Sequence, residues 1–225
     1  MAIMGLSSCG QTQPQPSEGS RTDFALSFFK AVSSSAKPGE NVVASPYSAG
    51  VALSMLTEGA AGQTKVELDN ALNGCLFMLE TMGDSETVTV KSANSIWISD
   101  NFSVRNRFVA HMEDDFKADV EVMDFADPAT LQSMNRWCAD NTEGKITKIK
   151  DSLSPNNVMI LANALYFKAS WENQFDPKAT QEETFHGRSG DAEVKMMYRK
   201  GAYEYMEYQG CQMIKLPYLD SGYAM

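Results

Sequence analysis

The chain has 225 residues, 43% hydrophobic and 21% charged, and its 19 basic against 29 acidic residues leave a formal charge of −10. That length is enough to bury a sizeable core, and no run is long and apolar enough to span a bilayer as a helix. The acidic balance excludes a broad nucleic-acid surface, which needs clustered lysine and arginine.

The first twenty residues, MAIMGLSSCGQTQPQPSEGS, start apolar, reach Cys9 and then turn to glutamine, proline, serine and glycine, a composition too poor in apolar groups to order itself. Residues 1–20 therefore read as a leader and flexible tether, and 21–225 as the folded body. Leu6-Ser7-Ser8-Cys9 resembles the lipobox closing a bacterial lipoprotein signal, where the cysteine is lipidated and becomes the new N-terminus. No lysine or arginine precedes it, and the apolar part is shorter than a signal's core. The resemblance implies a protein at the cell surface, outer-membrane-anchored through a lipid on Cys9 rather than spanning the membrane.

Within the body, Phe24, Phe28, Phe29 and Val32 have helical spacing over 21–35, and Lys37-Pro38-Gly39 breaks that helix. Ser45-Pro46 is a helix start, a capping side chain followed by proline in the first turn. The helix it opens, PYSAGVALSMLTEGA, is apolar on nearly every side and reads as buried. Thr64 and Glu67 have capping-box spacing, and Gly74 closes the helix they begin. Residues 87–98, TVTVKSANSIWI, alternate as a strand. Val104, Phe108, Met112 and Phe116 recur every four residues as an amphipathic helix, and Asp127-Pro128 starts another, ended by Gly144.

NVMILANALYFKAS is a nearly continuous apolar run, read as a central strand buried on both faces, with Asn163 in its middle. After it, VKMMYRKGAYEYMEYQGCQMIKLPY reads as strands joined by turns at Arg199-Lys200-Gly201 and Gln209-Gly210. Residues 211–217 alternate, 218–222 turn, and Tyr223-Ala224-Met225 begins a second strand. Helices precede strands, so the fold class is α+β. Of the four cysteines, none forms a C-x-x-C pair, and with two distant histidines there is no zinc or other cofactor pattern. Cys75, Cys138 and Cys211 read as buried free thiols, and sequence does not pair them.

Three stretches, NVVASPYSAGVALSML, NALYFKASWENQFDP and VKMMYRKGAYEYMEYQGCQMIKLPY, resemble the serpin family, with SANSIWI and FADPATLQSMNRWCADNTEGKI matching in the same order. The resemblance covers roughly 21–225. It implies a large mixed sheet, two smaller sheets and packed helices. It also implies inhibition of serine or cysteine proteases by trapping, in which an exposed reactive-centre loop is cut and inserts into the large sheet as a new strand. Ser45, Pro46 and Ser48 match the family's shutter motif, Asn163 its shutter asparagine, and Trp171 the tryptophan at the breach. An amide inside an apolar strand is costly unless hydrogen-bonded, and nearby hydroxyls are its natural partners.

The sequence departs from the family twice. CLFMLETMGDSE is short where the family carries helix D, which puts a heparin-type site there in doubt. The stretch LPY, which in the family leads into further strands and the loop, is followed here by seven residues, through Met225. The body is accordingly read as an incomplete serpin domain, the N-terminal portion, inactive as an inhibitor by itself, with residues 158–170 presenting an apolar edge through which copies self-associate. The alternative is a non-inhibitory binding or structural module on the same scaffold. A hydrolase is disfavoured, since neither His111 nor His186 stands beside a nucleophile signature.

Overall fold

The computed structural model describes residues 18–37, 39–78, 86–154, 156–187, 190–220 and 222–225. Cys9 and most of the leader lie outside them, as does most of the short segment after Cys75. The first helix, α1 (Glu18–Ser35), begins three residues before the expected boundary at 21. It buries Phe24, which stacks on Phe28 and meets Phe77 at 5.1 Å, while Phe29 is left 47% exposed.

Helix α2 (Pro46–Gly59) starts as its sequence dictates, with Pro46 in the first turn and the Ser45 hydroxyl oxygen accepting from the Ser48 N–H at 3.2 Å. Its inner face buries Val51, Ser54 and Met55, and the Ser54 hydroxyl oxygen accepts the Phe77 backbone N–H at 3.0 Å. The burial is one-sided, since Leu56 is 43% exposed. A Cβ on Gly50 would stand 2.6 Å from the Phe77 ring. Gly50→Ala is therefore expected to cost about 1–3 kcal/mol by overpacking, read as a lower urea midpoint. An unchanged midpoint would mean Phe77 withdraws freely.

The capping box expected at Thr64 and Glu67 does not form. Helix α3 (Gly62–Ala71) starts three residues earlier, with Ala61 at the cap and no side-chain bond there, so Thr64 falls inside the first turn. Its other end is as expected: Asn73 and Gly74 take positive φ, and the Gly74 N–H reaches the Asp69 carbonyl at 2.8 Å.

Strand β1 (Val88–Ser99), helix α4 (Asn106–Asp114) and strand β2 (Ala118–Met123) follow, then helix α5 (Pro128–Asn141), capped by the Asp127 carboxylate on the Ala129 N–H at 2.8 Å. The largest sheet is mixed. Strand β1 runs parallel to β2 and antiparallel to β3 (Met159–Ala169), giving the order β2-β1-β3. The expectation that residues 157–170 form a central strand is thus corrected: among the described residues β1 is central and β3 is an edge. Strand β1 shows why, for its second half is buried on both faces, whereas β3 is mostly half-buried.

Alternation along β1 sends Ile96 and Ile98 into a core with Val51, Met55, Met112 and Phe116, beneath α2 and α4. Trp97 points the other way, into a second core with Phe125, Met134 and Ala162 beneath α5. The chain is three-layered here, with the sheet between helices. Two small antiparallel pairs complete it: β4 (Gln181–Gly187) with β5 (Gly190–Met196), and β6 (Glu204–Tyr208) with β7 (Cys211–Lys215).

The turn at Gln209-Gly210 is a two-residue hairpin, both φ positive. Arg199-Lys200-Gly201 is not a hairpin turn: it lies in the connection between two separate pairs, because β5 finds its partner in β4. The chain's last residues begin a further strand, with Leu216 and Met225 exchanging backbone bonds at 2.7 and 2.8 Å. Cys75 and Cys138 are buried free thiols as expected, but Cys211 is exposed on β7, where neither face is covered.

Candidate functional site

Asn163 is half-buried at the middle of β3, and its register partner is Asn94 on β1, which is 1% exposed. The Asn163 amide nitrogen donates to the Asn94 side-chain oxygen at 2.9 Å and to the Ser92 hydroxyl at 3.1 Å. Asn94 in turn donates to the Phe116 carbonyl at 2.7 Å, where the chain leaves α4. The result is a polar seam running from β3 through β1 to the α4 end, on the face that packs under α2. Within it the Asn163 side-chain oxygen is buried and accepts no hydrogen bond from a described residue.

The sequence reading placed hydroxyls around Asn163, and the structure supplies one, Ser92. The others it named, Ser45 and Ser48, do not hydrogen-bond Asn163. Ser45 caps α2, its hydroxyl oxygen accepting the Ser48 backbone N–H. Asn94, which sequence reasoning missed, is the central member. The signal was available: in SANSIWI it shares a face with Ile96 and Ile98, so its amide enters an apolar layer and needs a polar partner there.

Trp171 stands two residues past the end of β3 and bridges Tyr218, stacking on it at 4.4 Å with an interplanar angle of 11°. It is half-buried, and Phe175 meets its edge at 6.3 Å. Backbone bonds from Glu172 to Pro217 and from Leu219 to Ser170 hold this junction between the top of β3 and the last hairpin. Arg199 reinforces it from the β5–β6 connection. Its guanidinium lies over the Phe175 and Tyr203 rings at 5.7 and 4.9 Å and donates to the Asn173 carbonyl.

Across the opposite face of the sheet lies α5. Trp137 meets Trp97 edge-on at 5.4 Å and donates to Asp119 of β2 at 3.0 Å. Beyond its C-terminus Glu143 pairs with Lys91 of β1. Hydrogen bonding from Lys91, then its charge, with Lys168 adding a smaller attraction, holds the Glu143 carboxyl below the usual range. A depressed carboxyl contributes stability above the ordinary glutamate range and loses it as pH falls through the folded-state value. Lys91→Met is therefore expected to move the Glu143 carboxyl back up in a ¹³C-detected titration. An unmoved titration would show that Lys91 does not set it.

The two histidines bond carboxylates at the surface: His111 bonds Asp115 and Glu58, and His186 bonds Asp191. Among the described residues no cluster could hold a metal ion, and no helix is long and apolar enough to cross a membrane.

A family model described as serpin (serine protease inhibitor) matches residues 19–225. The chain belongs to the serpin family. An uncharacterized serpin-like protein of Thermococcus kodakarensis is 29% identical over 220 residues, covering 92% of this chain and 51% of that protein. Serine protease inhibitor 42Dd of Drosophila melanogaster is 32% identical over 205 residues, covering 83% of this chain and 55% of that protein. Among solved structures, a loop C-sheet serpin polymer matches with TM-score 0.83 and 27% identity, covering 98% of this chain and 62% of that one. This serpin chain thus spans about half the length of the curated relatives it matches. Its mixed sheet, helical layers and two smaller sheets are the architecture the sequence resemblance implied.

Proposed function

We propose that these residues are scaffold for a protease-trapping inhibitor, acting outside the cell on serine or cysteine proteases, and that alone they do not trap a protease. Family membership over 19–225 carries this reading. The seam supports it: a polar cluster joining β1 to β3 beneath α2 suits a sheet that must part to accept a strand, with Ser45, Pro46 and Ser48 fixing the start of the helix under it and Asn163 latching the strand. Trp171, stacked where the top of β3 meets the last hairpin, suits the entry point of that strand. The edge of β3, unpaired among the described residues, is a template for another chain, and we take it as the route of self-association.

The deciding experiment is to sequence beyond the codon for Met225 and before Met1, then incubate both the 225-residue chain and the full reading frame with trypsin, chymotrypsin and papain. The expected result is an SDS-stable complex with the full frame and none with the 225-residue chain. A complex with the short chain sinks the scaffold reading. A full frame cleaved without complex formation favours the non-inhibitory module. The proposal that Cys9 carries a lipid is tested by metabolic labelling with an alkynyl fatty acid. Label that persists in Cys9→Ala refutes it.

A further inference from the structure

The segment from Glu143 to Lys150 is basic on an acidic chain, with Lys145, Lys148 and Lys150 interleaved with Ile146 and Ile149. Its first part lines a cavity of 450 Å³ with the upper half of β3, bounded by Thr142, Lys145 and Ile146 and, around the edge of the strand, by Leu165, Tyr166, Phe167 and Lys168. That volume is in the range of small-molecule sites. The alternation of β3 explains the floor: Tyr166 pairs in register with Lys91, on the face that carries Trp97 and α5.

Three side-chain donors line this cavity. The ammonium groups of Lys145 and Lys168 and the Tyr166 hydroxyl donate no hydrogen bond to a described residue, though Lys168 is attracted to Glu143. The Glu143 carboxylate is hydrogen-bonded by Lys91, and Lys168 attracts it more weakly. The α5 C-terminus brings partial negative charge, of which the Ala139 carbonyl is engaged by the Thr142 and Gly144 N–H groups and the Cys138 carbonyl by the Thr142 hydroxyl. The wall is rigid, since the Thr142 hydroxyl donates to the Cys138 carbonyl at 2.8 Å and accepts the Ile146 N–H at 3.0 Å. Ile146, half exposed, supplies an apolar flank.

We propose that this cavity binds a small amphipathic carboxylate, its apolar body against Ile146 and the Tyr166 ring and its anion between Lys145 and Lys168. Donors without acceptors select an acceptor-only group, and two ammonium groups select a charged one. The cavity flanks the β3 edge that the self-association reading uses, so a bound carboxylate and a second chain would compete for it.

The test is saturation-transfer-difference NMR on the 225-residue chain, a measurement that tolerates self-association. The probe is 2-naphthoate, with 2-naphthylmethanol as its uncharged control. Naphthoate is expected to bind saturably and the alcohol not. Lys145→Gln/Lys168→Gln is expected to weaken binding by about tenfold or more. Tyr166→Phe, which keeps the ring and both lysines, is expected to weaken it about fivefold. Absence of saturable naphthoate binding, equal binding of the alcohol, or binding undiminished in both variants overturns the proposal.

Discussion

Replacing Trp97 with alanine is expected to lower stability by about 3–5 kcal/mol, the range for emptying a buried aromatic position. Trp97 is 1% exposed and is the largest side chain of the core between the sheet and α5. Its loss removes the floor on which Trp137 sits edge-on at 5.4 Å, an aromatic pairing worth about 1 kcal/mol beyond the area buried. It also opens a void flanked by Phe125, Met134 and Ala162, which cannot collapse because β1 is pinned on both sides by β2 and β3. Urea unfolding followed by far-UV circular dichroism measures the change. Trp137→Phe separates the parts: it keeps most of the ring contact but loses the bond to Asp119, and is expected to cost about 1 kcal/mol. If Trp97→Ala cost no more than Trp137→Phe, α5 would not be held by this core, and the three-layer packing described above would be wrong.

The elements that sequence revealed are those whose cause is local. Ser45-Pro46 and Asp127-Pro128 start helices because a side chain next to the first turn satisfies that turn's own N–H groups, and Gln209-Gly210 turns because two positive φ angles are needed at adjacent residues. What escaped was set by partners far along the chain. Strand β2 carries alternating polar residues and is only six residues long, so its pattern is faint. It is a strand because β1 pairs with it. Strand β3 read as central from its apolar content, yet the number of its neighbours is fixed by what else the sheet contains. Cys211 read as buried because its neighbours are apolar, whereas both faces of β7 are open. In the seam, Asn163 was conspicuous inside its apolar run, but its tie to Asn94 depends on a register between strands that no single stretch encodes.

That register makes Asn94, not Asn163, the residue whose loss should hurt more. Asn94→Ala strips the Phe116 carbonyl of its donor and the Asn163 amide of one of its two acceptors, leaving polar groups unsatisfied in a layer closed to water. The expected cost is about 2–4 kcal/mol, from about 1–3 kcal/mol for each buried group left unpaired. Asn163→Ala removes two bonds but also removes an oxygen that is already buried without a partner, so about 1 kcal/mol is expected. Because the two side chains share a bond, the double variant should cost less than the sum of the singles by about 0.5–1.5 kcal/mol. Strict additivity would mean that the Asn94–Asn163 bond contributes nothing and that no seam joins β1 to β3. Asn163→Leu completes the test. A leucine there would meet Leu161 and Leu165 on the same face of β3 and bury apolar surface where an unpaired oxygen now sits. If Asn163→Leu is as stable as the parent chain or more so, the amide is not retained for stability. Its place in the middle of a strand with an open edge would then have to be explained by how β1 and β3 part.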